Sequence, residues 1–153
     1  AYRLSLLDGR PMFMTGEGPG AMKQYPQRIA NVLKLAAEKI GYNQPRKKNH
    51  YIGVATHSFI FAKAYAAHAI EIEILGPKKF RIVKVVGAID CGIVVNPDGL
   101  RNQMEGGVAF ALQQALKGEI TIQNSRVVQD GFNGFELLRF NEMPPVEIYT
   151  VAS

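Results

Sequence analysis

The sequence is poor in the groups around which many functions are built. A single cysteine, Cys91, rules out an internal disulfide, so the fold does not depend on an oxidising compartment. No apolar run approaches about 18 residues, so nothing in it reads as a membrane-spanning helix. The three histidines, His50, His57 and His68, and Cys91 lack zinc-ligand spacing, and there is no H-E-x-x-H. No metal site is expected. The glycines form neither G-x-G-x-x-G nor a Walker A, which argues against a phosphate loop. Asp90, His57 and Ser58 make a hydrolytic triad only on paper, because no G-x-S-x-G elbow carries the serine. No internal repeat at a period of about 20 to 50 residues is present.

Charge adds one further exclusion. Eighteen Lys and Arg against 13 Asp and Glu give a net charge of +5. The only basic clusters are Arg46-Lys47-Lys48 beside Pro45 and Lys78-Lys79 after Gly76-Pro77, both in turn-like settings. Neither is interleaved with aromatic residues, so no nucleic-acid partner is expected.

What is present fits a folded chain. At 153 residues, a globular chain buries about 70% of its extended surface. The hydrophobic fraction of 47% and charged fraction of 20% are ordinary for a folded domain. Residues 1–25 read as a linker-like segment, dense in Gly16, Gly18, Pro19 and Gly20. From Pro26 to Ile40, Ile29, Val32, Leu33, Ala36, Ala37 and Ile40 share one face, which predicts an amphipathic helix ended by Gly41. Residues 51–61 and 63–75 read as strands. The strict alternation of Ile70 to Ile74 predicts buried isoleucines and wet glutamates. Gly76-Pro77-Lys78-Lys79 turns the chain into a returning strand from Phe80 to Ile89. A shorter hairpin is expected at 120–128 around Gln123-Asn124-Ser125, and Val146 onward reads as a last strand after Pro144-Pro145. The chain opens at Ala1 without an initiator Met or a signal peptide and closes within that strand, so both ends read as cut.

The most informative stretch lies between Asp90 and Leu116. Asn96 suits an N-cap, Pro97 the first helical position, and Asp98 the first turn. The helix runs over 97–116, with Leu100, Met104, Val108, Ala111, Leu112 and Ala115 as its apolar stripe. Gly106 and Gly107 inside it cost about 1 kcal/mol each relative to alanine. At 100° per residue, Gln103, Gly106, Gly107 and Phe110 share a face. Two readings follow. Either a polar ligand approaches the backbone beside the Gln103 amide, or the glycines serve close helix–sheet packing.

The run from Asp90 to Gly107, DCGIVVNPDGLRNQMEGG, with the later GEI and EMPPVEI, resembles the molybdenum hydroxylases. This is the xanthine dehydrogenase and aldehyde oxidoreductase superfamily, and the likeness is strong to the beta subunit of isoquinoline 1-oxidoreductase-type enzymes. Val32 to Tyr42 resembles a family helix, and Gly53 to Ser58 with Ala66 to Ile74 resembles a family strand pair. The resemblance implies a molybdopterin-binding part of a bacterial oxidoreductase that hydroxylates an N-heteroaromatic or aldehyde with water-derived oxygen. It implies that Gln103, as the glutamine of Q-x-E-G-G, hydrogen-bonds the molybdopterin cofactor, with Gly106 and Gly107 beside it. A cytosine dinucleotide form of the cofactor and a small iron–sulfur partner subunit are implied as well, in the cytoplasm or periplasm. The family's base glutamate belongs to a G-x-G-E-P motif that does not occur before Ser153, so no catalytic residue is assigned. By the same resemblance His57 and Ser58 approach a substrate pocket; by residue type alone they are strand residues satisfied structurally. Cys91 reads as a small buried hydrophobe, Glu105 as helical and partly exposed without a partner, and Glu136 and Glu142 as loop residues that give no paired-carboxylate signal.

The expected architecture is therefore α+β: residues 1–153 as a single domain, a twisted and largely antiparallel sheet with two principal helices, 26–40 and 97–116. The expected function is part of a molybdopterin-binding subunit, with a free-standing ligand- or partner-binding domain as the alternative. The isolated chain is expected to hold no cofactor and show no activity. A piece of a larger subunit exposes apolar surface that the remainder covers. The isolated chain should therefore self-associate at high concentration, and light scattering that finds only monomer would count against truncation.

Overall fold

A computed structural model of the chain describes residues 2–7, 12–13, 23–59 and 63–151. In chain order, a helical turn α1 (Tyr2–Ser5) precedes two short strands, β1 (Met12–Phe13) and β2 (Lys23–Gln24), and helix α2 (Pro26–Lys39). Three long strands follow, β3 (His50–Phe59), β4 (Ala64–Gly76) and β5 (Lys79–Asp90). Helix α3 (Pro97–Leu116), the hairpin strands β6 (Ile122–Gln123) and β7 (Arg126–Val127), and strand β8 (Val146–Thr150) complete the set. The chain divides into two compact units, residues 1–95 with 145–153, and residues 96–144.

The first unit is built on a four-stranded sheet ordered β3-β4-β5-β8. β3, β4 and β5 are antiparallel neighbours, as the expected α+β architecture requires. β8 runs parallel to β5, with Val85 opposite Val146 and Ile89 opposite Thr150. The alternation of residues 146–150 predicted a strand but not its direction. A parallel neighbour needs a long crossover, usually through a helix, and the segment from Asp90 to Val146 contains α3. Of the segment read as a linker, Gly16, Gly18, Pro19 and Gly20 lie outside the described residues. Within the described residues of that segment, β1 pairs antiparallel with β2, Met12 opposite Gln24.

Helix α2 forms as its sequence predicts. Pro26 occupies its first turn, and Gly41, with φ of +73°, ends it. The Gly41 N–H donates to Glu38 O at 2.9 Å and the Tyr42 N–H to Ala37 O at 2.8 Å. This pair of bonds is the Schellman closure that a left-handed glycine permits. Val32, Ala36 and Ile40 bury against Tyr65, Ala67 and Ala69 of β4 and Val86 and Ala88 of β5. Small alanines on the sheet let the helix approach closely, and each fully buried Val or Ile contributes about 1.5–3 kcal/mol.

That core reverses one expectation. Since Tyr65, Ala67 and Ala69 face α2, strict alternation places Glu71 and Glu73 on the same side and Ile70, Ile72 and Ile74 on the other. The glutamates are tolerated there because they are paired: His50 Nδ1 lies 2.8 Å from Glu71 Oε1, and Arg81 Nε donates to Glu73 Oε2 at 2.6 Å. The isoleucines instead share the opposite face with Val85, Gly87 and Ile148. His68 sits on this face too, beside the position where a Gly87 side chain would lie, and burial pushes its imidazole below the ordinary value.

β5 is buried on both faces from Val85 to Asp90 and ends on a charge. Asp90 is 2% exposed and accepts from Arg28 Nε at 2.7 Å and from Arg28 Nη2 at 2.5 Å. The Gly92 N–H donates a third bond to the same carboxylate at 3.2 Å. Arg28 lies over the Tyr65 ring at 4.5 Å, and the Tyr65 hydroxyl accepts from the Tyr25 N–H at 3.2 Å. The Arg28 hydrogen bonds first, then the Gly92 N–H, hold the Asp90 carboxyl below the usual carboxylate range. A carboxyl depressed in the folded state stabilises the fold above the unfolded pKa, near about 4, and loses that contribution as pH falls through the folded value. Asp90→Ala should destabilise the chain by about 3 kcal/mol at neutral pH, since it strands a charged partner. Denaturant midpoints measured against pH should fall more steeply below about pH 4 in the parent than in Asp90→Asn. Parallel curves would refute the coupling.

Candidate functional site

The second unit is organised by α3. Asn96 caps it, its side-chain oxygen accepting from the Gly99 N–H at 2.9 Å, and Pro97 and Asp98 occupy the first turn as expected. The apolar stripe is narrower than predicted. Val108 and Leu112 are buried and Leu100 and Met104 half-buried, but Ala111 and Ala115 are exposed. A third buried position is polar. Gln113 Nε2 donates to Glu136 O at 2.9 Å, and Gln113 Oε1 accepts from the Leu138 N–H, so one amide satisfies the backbone of the 136–138 segment twice.

One turn further on, Lys117 closes the same flank. Its Nζ donates to Glu136 Oε1 at 2.6 Å and to Glu142 Oε2 at 2.7 Å. These bonds, Glu136 first, hold the ammonium pKa above its ordinary value. Lys117 and then the Arg139 N–H hold the Glu142 carboxyl below its own. Glu136 and Glu142 therefore share a lysine. Glu105 also has a partner in Arg101, at 3.9 Å and one turn away. The following hairpin turns through Asn124 and Ser125 alone, with φ of 47° and 61°, rather than through three residues. Positive φ at both positions is the turn that matches strand twist.

Earlier along α3, the same side of the helix is bare. Gln103, Gly106, Gly107 and Phe110 are all exposed. The Gln103 amide makes no hydrogen bond among the described residues. A Cβ built on either glycine would meet nothing within 4 Å, so the described chain does not use them for close packing. Phe110 is 76% exposed and forfeits about 1.5–3 kcal/mol of burial. The arrangement offers an amide donor and acceptor, two stretches of approachable backbone and an aromatic ring on one helix face. It suits a ligand with polar edges and a flat body.

The other candidates do not assemble. His57 and Ser58 are neighbours on β3 and so face opposite sides of the sheet. Ser58 Oγ accepts from Gln24 Nε2 at 2.6 Å, while His57 is exposed rather than satisfied. Asp90 is held by Arg28, which sequence reasoning did not single out. No triad forms. Cys91 is half-exposed, not buried, because it follows the last sheet residue into the Gly92 turn. Among the described residues no group of His, Cys, Asp and Glu could hold a metal ion, and no helix is long and apolar enough to cross a membrane.

Comparison with known proteins supplies the ligand class. Residues 22–144 match the family described as the molybdopterin cofactor-binding domain, a stretch that takes in parts of both units and all of α3. Over 89 residues, 58% of the chain, it is 28% identical to a nicotinate dehydrogenase subunit of Pseudomonas putida. Over 70 residues, 46% of the chain, it is 29% identical to the beta subunit of isoquinoline 1-oxidoreductase from Brevundimonas diminuta. The matched stretches span only 8% and 9% of those relatives. In fold, 59% of the chain is similar to 12% of quinoline 2-oxidoreductase from Pseudomonas putida 86, with a TM-score of 0.55 at 24% identity.

The open glycines permit a direct test of the packing alternative. Gly106→Ala and Gly107→Ala should each stabilise α3 by up to about 1 kcal/mol, since the added methyl meets no neighbour and alanine is the better helix former. Denaturant unfolding of the chain measures this, and a loss of stability would return the glycines to a packing role.

Proposed function

Because the chain belongs to the molybdopterin cofactor-binding domain family, we propose that it works as part of the molybdopterin-binding subunit of a molybdenum hydroxylase, with Gln103, Gly106 and Gly107 facing the cofactor. The observation that carries the assignment of these three residues is the bare flank of α3. An amide without a partner stands beside two glycines that no packing in the described chain requires. These residues fit a group with polar edges that needs close backbone approach. The motif predicted from Asn96 to Gly107 coincides with them.

When bound, the cofactor supplies the oxygen-transfer and electron chemistry. The chain's own contribution is binding and orientation. Gln103 donates and accepts at polar edges, and the glycine pair admits the ligand to the helix surface. The Val108 and Leu112 anchor on the far side keeps that surface in place. No described residue is assigned as the base, and the isolated chain is proposed to be inactive. Nicotinate and isoquinoline in the names of the relatives favour an N-heteroaromatic substrate, with an aldehyde as the other class. The cofactor is proposed in its cytosine dinucleotide form, with iron–sulfur clusters in a small partner subunit.

In the full-length subunit, Gln103→Ala should lower molybdenum content several-fold, since one or two hydrogen bonds of about 0.5–1.5 kcal/mol each are lost. Folding should be nearly unaffected, because the side chain is exposed and the Val108 stripe is untouched. Metal content per subunit and the thermal midpoint of the cofactor-free protein measure the two effects. Equal molybdenum content in mutant and parent would reject the cofactor role.

A further inference from the structure

Phe110 is the least explained residue of α3. Its ring is 76% exposed on a helix that buries Val108 and Leu112 on another side. It stands three and four residues after Gly107 and Gly106. A helical side chain leans towards the N-terminus and covers the turn before its own Cα. The Phe110 ring therefore borders the glycine turn, while the space above both glycines stays clear of any atom within 4 Å. Gln103 lies two turns back on the same face, about 10 Å along the axis. The result is a floor of backbone, an aromatic wall at one end and an amide at the other.

We infer that Phe110 forms an aromatic wall of the cofactor-facing surface and lays its ring against a planar heterocycle of the cofactor, an inference that rests on Gln103 facing that cofactor. Three observations favour a flat ligand over a protein segment. The glycine turn leaves the helix backbone open beside the ring, with no atom within 4 Å of a Cβ on either glycine. The Gln103 and Gln114 amides of this face make no hydrogen bond among the described residues and suit the edges of a heterocycle. The helix lies within the stretch that matches the molybdopterin cofactor-binding family. Two rings can serve, the pterin or the base of a dinucleotide form, and both present the same flat π-surface to Phe110.

The test compares Phe110→Ala, Phe110→Leu and Phe110→Tyr in the full-length subunit, with no substrate present. Phe110→Ala should speed the loss of pterin and molybdenum about tenfold, while Phe110→Tyr holds near the parent rate. Phe110→Leu, apolar but not flat, should fall close to alanine. Thermal midpoints of the cofactor-free subunit should be the same for all four proteins. Reloading the cofactor-free subunit with molybdopterin or with its dinucleotide form separates the two rings: a defect with both points to the pterin, and one with the dinucleotide form alone points to the base. If Phe110→Ala lowers the midpoint of the cofactor-free subunit, or Phe110→Leu restores retention, the ring is covered by protein and the inference falls. Retention unchanged in Phe110→Ala but reduced in Gln103→Ala overturns the aromatic wall alone; retention unchanged in both overturns the cofactor-facing reading of α3 itself.

Discussion

The Asp90 carboxylate is the constraint on which the first unit depends. It stands at the end of the one strand covered on both edges and both faces, where an unpaired charge would be intolerable. Its two oxygens fix three things at once: the side chain of Arg28 in α2, the Tyr65 ring beneath that guanidinium, and the Gly92 N–H. Helix, sheet and exit turn thus meet at a single anion. The short alanines of β4 and β5 complement this anchor, because they let α2 settle against the sheet without large side chains to hold it off. Burial drives the contact, and the ion pair selects one registry of helix against strand end.

Much of this was legible in the sequence because the signals are local. Pro26, Gly41, Asn96 and Pro97 act on the backbone next to them, so the bounds of α2 and α3 follow from chemistry within a turn. What could not be read depends on partners far along the chain. The Ile70 to Ile74 alternation states that two faces differ but not which one meets α2. Tyr65, Ala67 and Ala69 decide that, and the glutamates then need His50 and Arg81 to accept the inner side. The direction of β8 is likewise invisible in residues 146–150, because only the crossover through α3 determines it.

The same division separates the residues of α3 that stand out in sequence from those that do not. Gln103, Gly106 and Gly107 stand out because two glycines in a helix oppose helix propensity, and a local penalty without a local reason is visible in sequence. Gln113 and Lys117 carry no such mark. Gln113 and Gln114 are adjacent and chemically identical, yet the first is buried on the 136–138 backbone and the second is exposed. Only the return of the chain at Glu136 distinguishes them.

That contrast between glutamines is also the strongest physical argument about the site. α3 carries polar side chains at different heights along one side, and the chain treats them differently. Near the C-terminal end, Gln113 and Lys117 have their hydrogen-bonding capacity taken up by Glu136, Leu138 and Glu142, so these groups are structural and closed. About three turns earlier, Gln103 is exposed beside two glycines and an exposed aromatic ring, so its capacity and its approach path both remain available.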